Sequence, residues 1–329
     1  MRRFTLGILY LIGSLFSHTS QANQPVPFEN QQSIQQFIQE MVSEHKFDSD
    51  TLTRLFSQSR KYQSIIDAIS RPAEAKPWYE YRKIFVNRER VRGGVLFWNN
   101  NADTIESVAN TYKIPPQILV SIVGVETRYG KHKGRYPVID ALSTLAFAYP
   151  PRASFFRSEL KQYLLMTREE KFDPLEHKGS YAGAMGIPQF ISSSFRRYAV
   201  DFDKDGKRDL WESVADAIGS VGNYFKEHGW KEGQPIAHKV SVSGLKYRSL
   251  INSGSLKPEY TPEQLRLAGV ALPDNLPADL KGTLIELDSG DGPEYWAVWH
   301  NFYVISRYNH SALYSMAVFQ LSNEIVGSR

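Results

Sequence analysis

The chain has 329 residues, with 39 Lys+Arg against 35 Asp+Glu for a net charge of +4, and it is 42% hydrophobic and 13% aromatic. That length is ample for a sizeable core in about two to three domains, and that composition excludes a disordered polymer. The absence of cysteine excludes disulfides, cysteine-based zinc or iron–sulfur centres, a cysteine nucleophile and a lipid-modified cysteine anchor, and the weak basicity comes with no nucleic-acid motif.

Arg2 and Arg3 precede an apolar stretch from Phe4 to Phe16, followed by a polar region ending Ser20-Gln21-Ala22. This is the pattern of a secretory signal peptide over residues 1–22, so the mature protein is expected to be exported and soluble. No later segment is apolar for long enough to span a membrane. Residues 28–70 carry Phe28, Ile34, Phe37, Ile38, Met41, Val42, Leu52, Leu55 and Phe56 at spacings of three and four, which predicts helix. The two prolines in 71–77 predict a linker. A second helical stretch runs from Trp78 to about Arg92, where Gly93-Gly94 is expected to interrupt it.

Asp103 with Glu106 has the spacing of a capping box opening the next helix. Pro116 suits the first turn of another, whose apolar stripe is Ile118, Ile122 and Val125, widened by Leu119 and Val123, with Gly130 as its stop. Further helices are expected over about 152–168, with Phe155, Phe156, Leu160, Tyr163 and Leu164 inward, and over 213–227, where Ala217, Gly219 and Gly222 permit close approach. Between them, Lys178 to Phe195 reads as a compact Gly-rich turn leading into a helical segment. Beyond Trp230 the texture changes. Short strands are expected in 236–250 around Gly244, then Pro-rich segments at 258–277, then a hairpin whose strands, 283–287 and 294–299, flank Asp288–Pro293. Residues 302–325 return to apolar spacing. The fold class is therefore mainly α (α+β), with a helical region over 23–235 plus 300–329 and a small β-containing insertion over 236–299.

The sharpest local motif is Asp201-Phe202-Asp203-Lys204-Asp205-Gly206 followed by Glu212, which satisfies the twelve-position EF-hand pattern. Asp201, Asp203, Asp205 and Glu212 offer carboxylate ligands, Lys207 its backbone carbonyl, and Asp209 the position that often ligates through water. A single loop favours structural bracing by calcium over signalling, and an acidic surface turn is the bland alternative.

Glu126 falls beside the apolar stripe, near the C-terminal end of its helix. Partial desolvation and the negative end of the helix both favour the protonated acid, which suits it to protonating a leaving oxygen. On the residue alone, a surface carboxylate or structural ion pair is the more common outcome. The stretch from Ser180 to Phe190 adds small residues that let backbone approach a ligand, hydrogen-bonding groups at Ser180 and Gln189, and apolar rings at Tyr181 and Phe190 suited to sugars. Read alone, it is more often a close helix turn with two core aromatics. No serine-nucleophile elbow, paired metal-ligand histidines or dinucleotide glycine fingerprint competes, and two loose Ser-x-x-Lys spacings lack companion motifs.

The segment Gly124-Val125-Glu126-Thr127-Arg128-Tyr129-Gly130 resembles the catalytic-helix signature of the membrane-bound lytic transglycosylase B family. The resemblance continues through Tyr136–Leu142, Gly179–Gly186, Pro188-Gln189-Phe190, the calcium loop, Tyr224-Phe225, His228-Gly229-Trp230 and Arg307–Ser311, covering most of residues 75–325. It implies a lysozyme-like helical core with helical additions and an EF-hand-like calcium site, no organic cofactor, and action on peptidoglycan glycan strands. The implied reaction cleaves the β-1,4 bond between N-acetylmuramic acid and N-acetylglucosamine and leaves 1,6-anhydromuramic ends. It makes Glu126 the catalytic acid/base and gives substrate-wall or supporting roles to Tyr81, Ser180, Gln189, Phe190, Tyr308, Asn309 and Tyr314. A monomer in the periplasm is implied, with cell-wall enzyme complexes as conceivable partners. Two departures stand out: Ser192 occupies a position where the family often has proline, and the lipid-bearing cysteine of membrane-bound members is absent, which points to a soluble enzyme. The competing readings are a wall-binding scaffold without activity and a hydrolytic muramidase.

Overall fold

The computed structural model describes residues 24–28, 31–70, 76–252 and 254–329. The expected signal peptide and most of the expected linker lie outside them. Three helices, α1 (Gln31–His45), α2 (Ser49–Gln58) and α3 (Gln63–Ile69), occupy the predicted N-terminal helical stretch. They are separated because Lys46 adopts a left-handed φ of 58° and Asp48 caps α2 by accepting the Thr51 N–H at 2.7 Å.

Next come α4 (Trp78–Phe85) and α5 (Arg88–Asn100). The chain breaks at Val86-Asn87, where the Asn87 side chain accepts the Arg90 N–H at 3.0 Å, and not at Gly93-Gly94, which α5 runs straight through. Those glycines serve packing: a Cβ on Gly93 would lie 2.8 Å from the Tyr129 ring, and one on Gly94 2.5 Å from Ile325 Cδ1. The expected capping box is also absent. Helix α6 (Ala102–Tyr112) opens at Asn101, the residue that closes α5, so Asp103 already lies inside its first turn.

Helix α7 (Pro116–Thr127) begins at Pro116 as expected and is buried on almost every face, Ile118 to Val125 included. It ends ahead of Gly130 because Arg128 and Tyr129 both take left-handed φ values, 50° and 62°. A two-residue strand β1 (Tyr136–Pro137) leads into α8 (Val138–Ala148) and α9 (Ala153–Glu170), and β1 pairs with β2 (Lys178–Gly179) in a small sheet that the sequence did not suggest. Phe155 proves exposed, under the Arg152 guanidinium at 4.6 Å, instead of facing inward. Helices α10 (Ser192–Tyr198) and α11 (Val214–Glu227) follow.

Around α7 pack α5, α6, α11 and the C-terminal helix α14 (Ala312–Gly327). On the far side, Phe37, Phe56 and Phe147 meet edge-to-face with centroids 5.8–6.2 Å apart, fastening α1 and α2 to α8 in the same apolar core. The β-containing part is one antiparallel sheet in the order β3-β5-β4, with β3 (Ala237–Val240), β4 (Gly282–Asp288) and β5 (Pro293–Trp299) in register at Thr283 opposite Val298. The hairpin falls where expected. Around Gly244 there is only an isolated bridge, Val242 to Val270, because Lys246–Leu250 turns as a 3-10 helix. The short α12 (Pro262–Leu267) sits within the Pro-rich stretch behind a Thr261–Gln264 capping box. One face of the sheet packs through Ile285, Leu287 and Val298 onto Trp78, Phe302 and Met316, and the other covers Tyr247, Leu265 and Val270. Strand β5 then runs directly into α13 (His300–Ser306). The whole is a mainly α fold with a helical core, a small β insertion and two small sheets.

Close approach of α11 to α6 rests on Gly222, where a Cβ would lie 2.4 Å from Tyr112 Cδ2 and 3.0 Å from Val108 Cγ1. Gly222→Ala should lower stability by about 1–3 kcal/mol despite its better helix propensity, because overpacking there forces the helices apart. Denaturant unfolding of the two proteins measures this, and an unchanged or higher midpoint would show that the contact relaxes freely.

Candidate active site

Glu126 stands in the last turn of α7, with its side chain half-buried. The Tyr314 hydroxyl donates to Glu126 Oε1 at 2.6 Å. Tyr314 is placed there by the start of α14, where the Ser311 hydroxyl accepts the Tyr314 N–H at 3.3 Å. Desolvation pushes the Glu126 carboxyl up to about 7, outweighing the tyrosine hydrogen bond that pulls it down. No second carboxylate among the described residues contributes to this balance.

Tyrosines pack beside Glu126. Tyr308 stacks on Tyr314 with centroids 6.5 Å apart and planes 9° from parallel, and its hydroxyl donates to the Pro188 carbonyl at 2.6 Å. Burial and the nearby Glu126 hold both phenols well above their usual range, so they remain neutral donors. Tyr81, on α4, approaches Tyr314 closely enough to affect its ionisation and packs against Phe85 at 5.1 Å.

The Gly-rich segment packs next to these tyrosines, joined to them by the Tyr308–Pro188 hydrogen bond. Gly183 and Gly186 take φ values of 77° and 67°, and bridges from Met185 to Gly179 and Phe190 fold the segment back on itself. Thr127 Oγ1 donates to the Ile187 carbonyl at 2.9 Å, tying this segment to the helix that carries Glu126. Ser180 Oγ accepts the N–H groups of Ala182 and Ala184 at 3.2 and 3.0 Å, so its lone pairs are used inside the turn and its own hydrogen is left to donate. Gln189, in a left-handed conformation at φ 54°, donates Nε2 to the Gly186 and Lys133 carbonyls at 2.9 and 3.3 Å, leaving Oε1 as the acceptor.

Phe190 is 2% exposed and packs 5.9 Å from the Tyr308 ring and 5.7 Å from Tyr224. Tyr181 is exposed at the turn. Asn309 lies exposed between α13 and α14, where its carbonyl accepts the Ser311 N–H at 2.7 Å; it makes no contact with Glu126. A groove of ≈ 470 Å³ opens along Gln189, Phe190, Tyr224 and Tyr308 and is rimmed by Arg152, Arg197 and Arg307. Scattered over about half the chain, these arginines share no local pattern that would join them in the sequence. A roomier groove of ≈ 550 Å³, between α5 and the ends of α4 and α14, touches none of the residues around Glu126.

Of the six expected metal ligands, the fold gathers three. Oxygens of Asp201, Asp203 and Asp205 lie within 4.8 Å of one another, and Asp201 accepts the N–H groups of Asp205 and Gly206 at 3.1 and 2.9 Å. Gly206, at φ 91°, makes the bend between them. Lys207 donates its N–H to Asp205. Asp209 Oδ1 accepts the N–H groups of Trp211 and Glu212, while Glu212 Oε1 turns to Lys133 Nζ at 2.7 Å. An all-oxygen acidic set of this kind fits a hard divalent cation. The missed residue is Asp216, whose buried carboxylate accepts the Phe202 and Asp209 N–H groups at 2.7 and 2.8 Å and so ties both ends of the loop to α11. Its sequence signal was the Ser213-x-x-Asp216 spacing at the start of that helix.

Comparison with known proteins adds three findings. The model of the transglycosylase SLT domain matches residues 29–323. The chain is 43% identical to the membrane-bound lytic murein transglycosylase B of Escherichia coli (strain K12) over 312 residues, 92% of this chain and 85% of that protein. Among solved structures, the soluble lytic transglycosylase SltB1 of Pseudomonas aeruginosa aligns at 47% identity and a TM-score of 0.86, covering 90% of this chain and 99% of that one. Escherichia coli lytic transglycosylase Slt35 in complex with calcium aligns at 41% identity and a TM-score of 0.84, covering 95% and 98%.

The raised carboxyl has a stability signature. Because the folded pKa of Glu126 exceeds the unfolded value, the folded state holds an extra proton between about 4.5 and 7, and the advantage is lost as pH rises through 7. Glu126→Gln carries no such proton, so its melting temperature should gain on that of the parent as pH is raised from 5 to 8. A constant difference across that range would mean that Glu126 titrates normally.

Proposed function

The chain belongs to the lytic transglycosylase family that carries the SLT domain, and from that premise we infer that Glu126 acts alone as acid and base on peptidoglycan glycan strands. The bond cut is the β-1,4 link between N-acetylmuramic acid and N-acetylglucosamine. The observation that carries the single-residue reading is a carboxyl raised to about 7 by burial, with a tyrosine donor and, among the described residues, no carboxylate partner. Hydrolytic glycosidases ordinarily need two carboxylates, one to protonate the leaving oxygen and one to activate water or bond to the sugar. With one, the second half of the reaction must use a nucleophile already in the substrate.

Protonated Glu126 gives its proton to the departing glycosidic oxygen as the C1–O bond breaks. The Tyr314 hydrogen bond supports the carboxylate that results, and the substrate's N-acetyl group can support the charge at C1. The carboxylate then takes the proton from the muramic acid C6 hydroxyl while that oxygen closes onto C1. The product is a 1,6-anhydro ring, Glu126 is protonated again, and no water is consumed. A pKa near 7 suits both proton transfers at neutral pH. Ser180 as donor and Gln189 as acceptor hold polar groups of the sugars, Tyr81, Tyr308 and Tyr314 line the tyrosine side, Phe190 supports the wall, and Asn309 reaches substrate from the cleft rim.

The helical region around Glu126 is taken as a lysozyme-like core over 23–235 plus 300–329, with 236–299 as an insertion. Asp201, Asp203 and Asp205 would hold calcium in an EF-hand-like loop, joined by the Lys207 carbonyl, Asp209 and Glu212 once Glu212 leaves Lys133; the acidic donor set and the calcium complex of Slt35 support this choice of metal. The ion would supply charge neutralisation that braces the loop. Export by residues 1–22 to the periplasm fits a wall substrate, and among the described residues no helix is long and apolar enough to cross a membrane.

Digestion of purified peptidoglycan followed by mass spectrometry should yield anhydromuramic ends, one water lighter than hydrolysed ends. Glu126→Gln should fold, bind glycan and lose turnover by about 10²–10⁴-fold. Hydrated ends alone, or parental turnover by the folded variant, would overturn the mechanism. Adding calcium to metal-free protein should raise its melting temperature, and Asp201→Ala should abolish the shift. A parent that neither binds calcium by calorimetry nor shifts in melting would eliminate the metal site.

A further inference from the structure

We propose that Arg90 and Tyr129 form a clamp on the back of α7 that positions Glu126 for proton transfer, an inference that rests on the reaction assigned above. Neither residue touches the cleft's reacting groups; both act through the helix backbone.

Arg90 is 7% exposed, and among the described residues no carboxylate pairs with it. A buried cation without an anionic partner needs another source of negative potential. Two sources face it: the Phe85 ring, 5.1 Å under the guanidinium, and the end of α7. The last four carbonyls of a helix lack intrahelical partners and concentrate its negative pole. Here the backbone satisfies the Thr127 carbonyl through the His132 N–H at 2.9 Å. The carbonyls of Gly124 and Val125 instead accept from Arg90 Nη1, the latter at 3.3 Å. The Val125 carbonyl belongs to the peptide unit whose nitrogen is that of Glu126. Arg90 therefore grips the plane from which the acid's side chain departs.

Tyr129 secures the grip from the other side. Its ring fills a slot made by three glycines, Gly93 and Gly94 of α5 and Gly124 of α7. A Cβ on any of them would come within 2.6–2.8 Å of that ring or its hydroxyl. The hydroxyl donates to the Arg90 carbonyl at 2.7 Å. Tyr129 holds this place in a left-handed conformation, φ 62°, that is unfavourable for a bulky residue and persists only where its surroundings impose it. The same glycines that fail to break α5 thus admit the ring that locks α5 to the end of α7. Positional errors of about 1 Å in a catalytic group can cost on the order of 10²-fold in rate.

The test compares Arg90→Met, Arg90→Lys, Tyr129→Phe and Arg82→Met in steady-state cleavage of soluble glycan strands, with melting temperatures alongside. Arg82 is the control: it joins α4 to Gln320 and Glu324 of α14 and makes no contact with α7. Arg90→Met should lower kcat by about 10–100-fold with KM changed less than about twofold, the mark of lost transition-state alignment. Arg90→Lys should recover most of that loss, since an ammonium can still reach the Gly124 carbonyl. Arg82→Met should lower the melting temperature and leave kcat unchanged. A folded Arg90→Met protein with parental kcat, or one whose loss appears in KM, would overturn the clamp; so would an equal fall in kcat for Arg82→Met. If Arg90→Met does not fold, Tyr129→Phe decides, because it keeps the ring and removes only the hydroxyl: a fall of about threefold or more in kcat supports the clamp and parental kcat rejects it. The parent is assayed first for anhydro ends, whose absence would reject the reaction itself and not the clamp.

Discussion

Keeping the Glu126 carboxyl away from water, against the stabilisation that the Tyr314 hydroxyl offers its ionised form, is the opposition on which the site depends. An exposed glutamate would be ionised at neutral pH and have no proton to give. A fully desolvated one without a hydrogen bond would resist giving it up. Burial alone raises the carboxyl, the tyrosine holds the rise in check, and the result is an acid close to balance near pH 7. The residue must therefore sit on an element that is itself buried, yet at a point where one side opens to a cleft. The last turn of α7 meets both demands, because the helix is enclosed by α5, α6, α11 and α14 while Glu126, at its end, is only half-buried.

The rest of the cleft hangs on that helix end. Thr127 fastens the Gly-rich wall to it, and the wall's carbonyl at Pro188 receives the hydroxyl of Tyr308, which stacks on Tyr314. The ring of contacts thus closes from α7 through the wall to α14 and back to Glu126. The acidic loop joins the same circuit. Its exit residue Leu210 accepts the Ile187 N–H at 2.8 Å, and Trp211 donates its indole N–H to the Lys178 carbonyl at 2.9 Å. Order in the loop is therefore order in the wall that faces the acid.

Much of this was legible in the sequence, for reasons that differ by residue. The helix under Glu126 announced itself by Pro116 and an apolar stripe. The hairpin of β4 and β5 was framed by its turn residues, and the acidic loop was fixed by the spacing of its aspartates. The helix ends were less legible. Gly93-Gly94 has the local signature of a break, but tertiary packing against Tyr129 turns it into a contact surface inside an unbroken helix. Asp103 and Glu106 have capping-box spacing, yet α6 is capped two residues earlier, at the asparagine it shares with α5. In the site, the hydrogen-bonding groups of Ser180 and Gln189 were visible from their chemistry, whereas the pairing of Tyr314 with Glu126 joins residues 188 positions apart and leaves no local trace. Nor does sequence spacing show that Glu212 rests on Lys133 or that Phe190 packs between the rings of Tyr224 and Tyr308.

The central claim is a statement about one proton, and infrared difference spectroscopy of the parent against Glu126→Gln measures it directly. The carbonyl stretch of a protonated carboxylic acid, present in the parent and missing from the variant, should persist through pH 5 and 6 and disappear with a midpoint of about 7. A midpoint near 4.5, the ordinary value for glutamate, would mean that the acid is already ionised at neutral pH and would contradict the account.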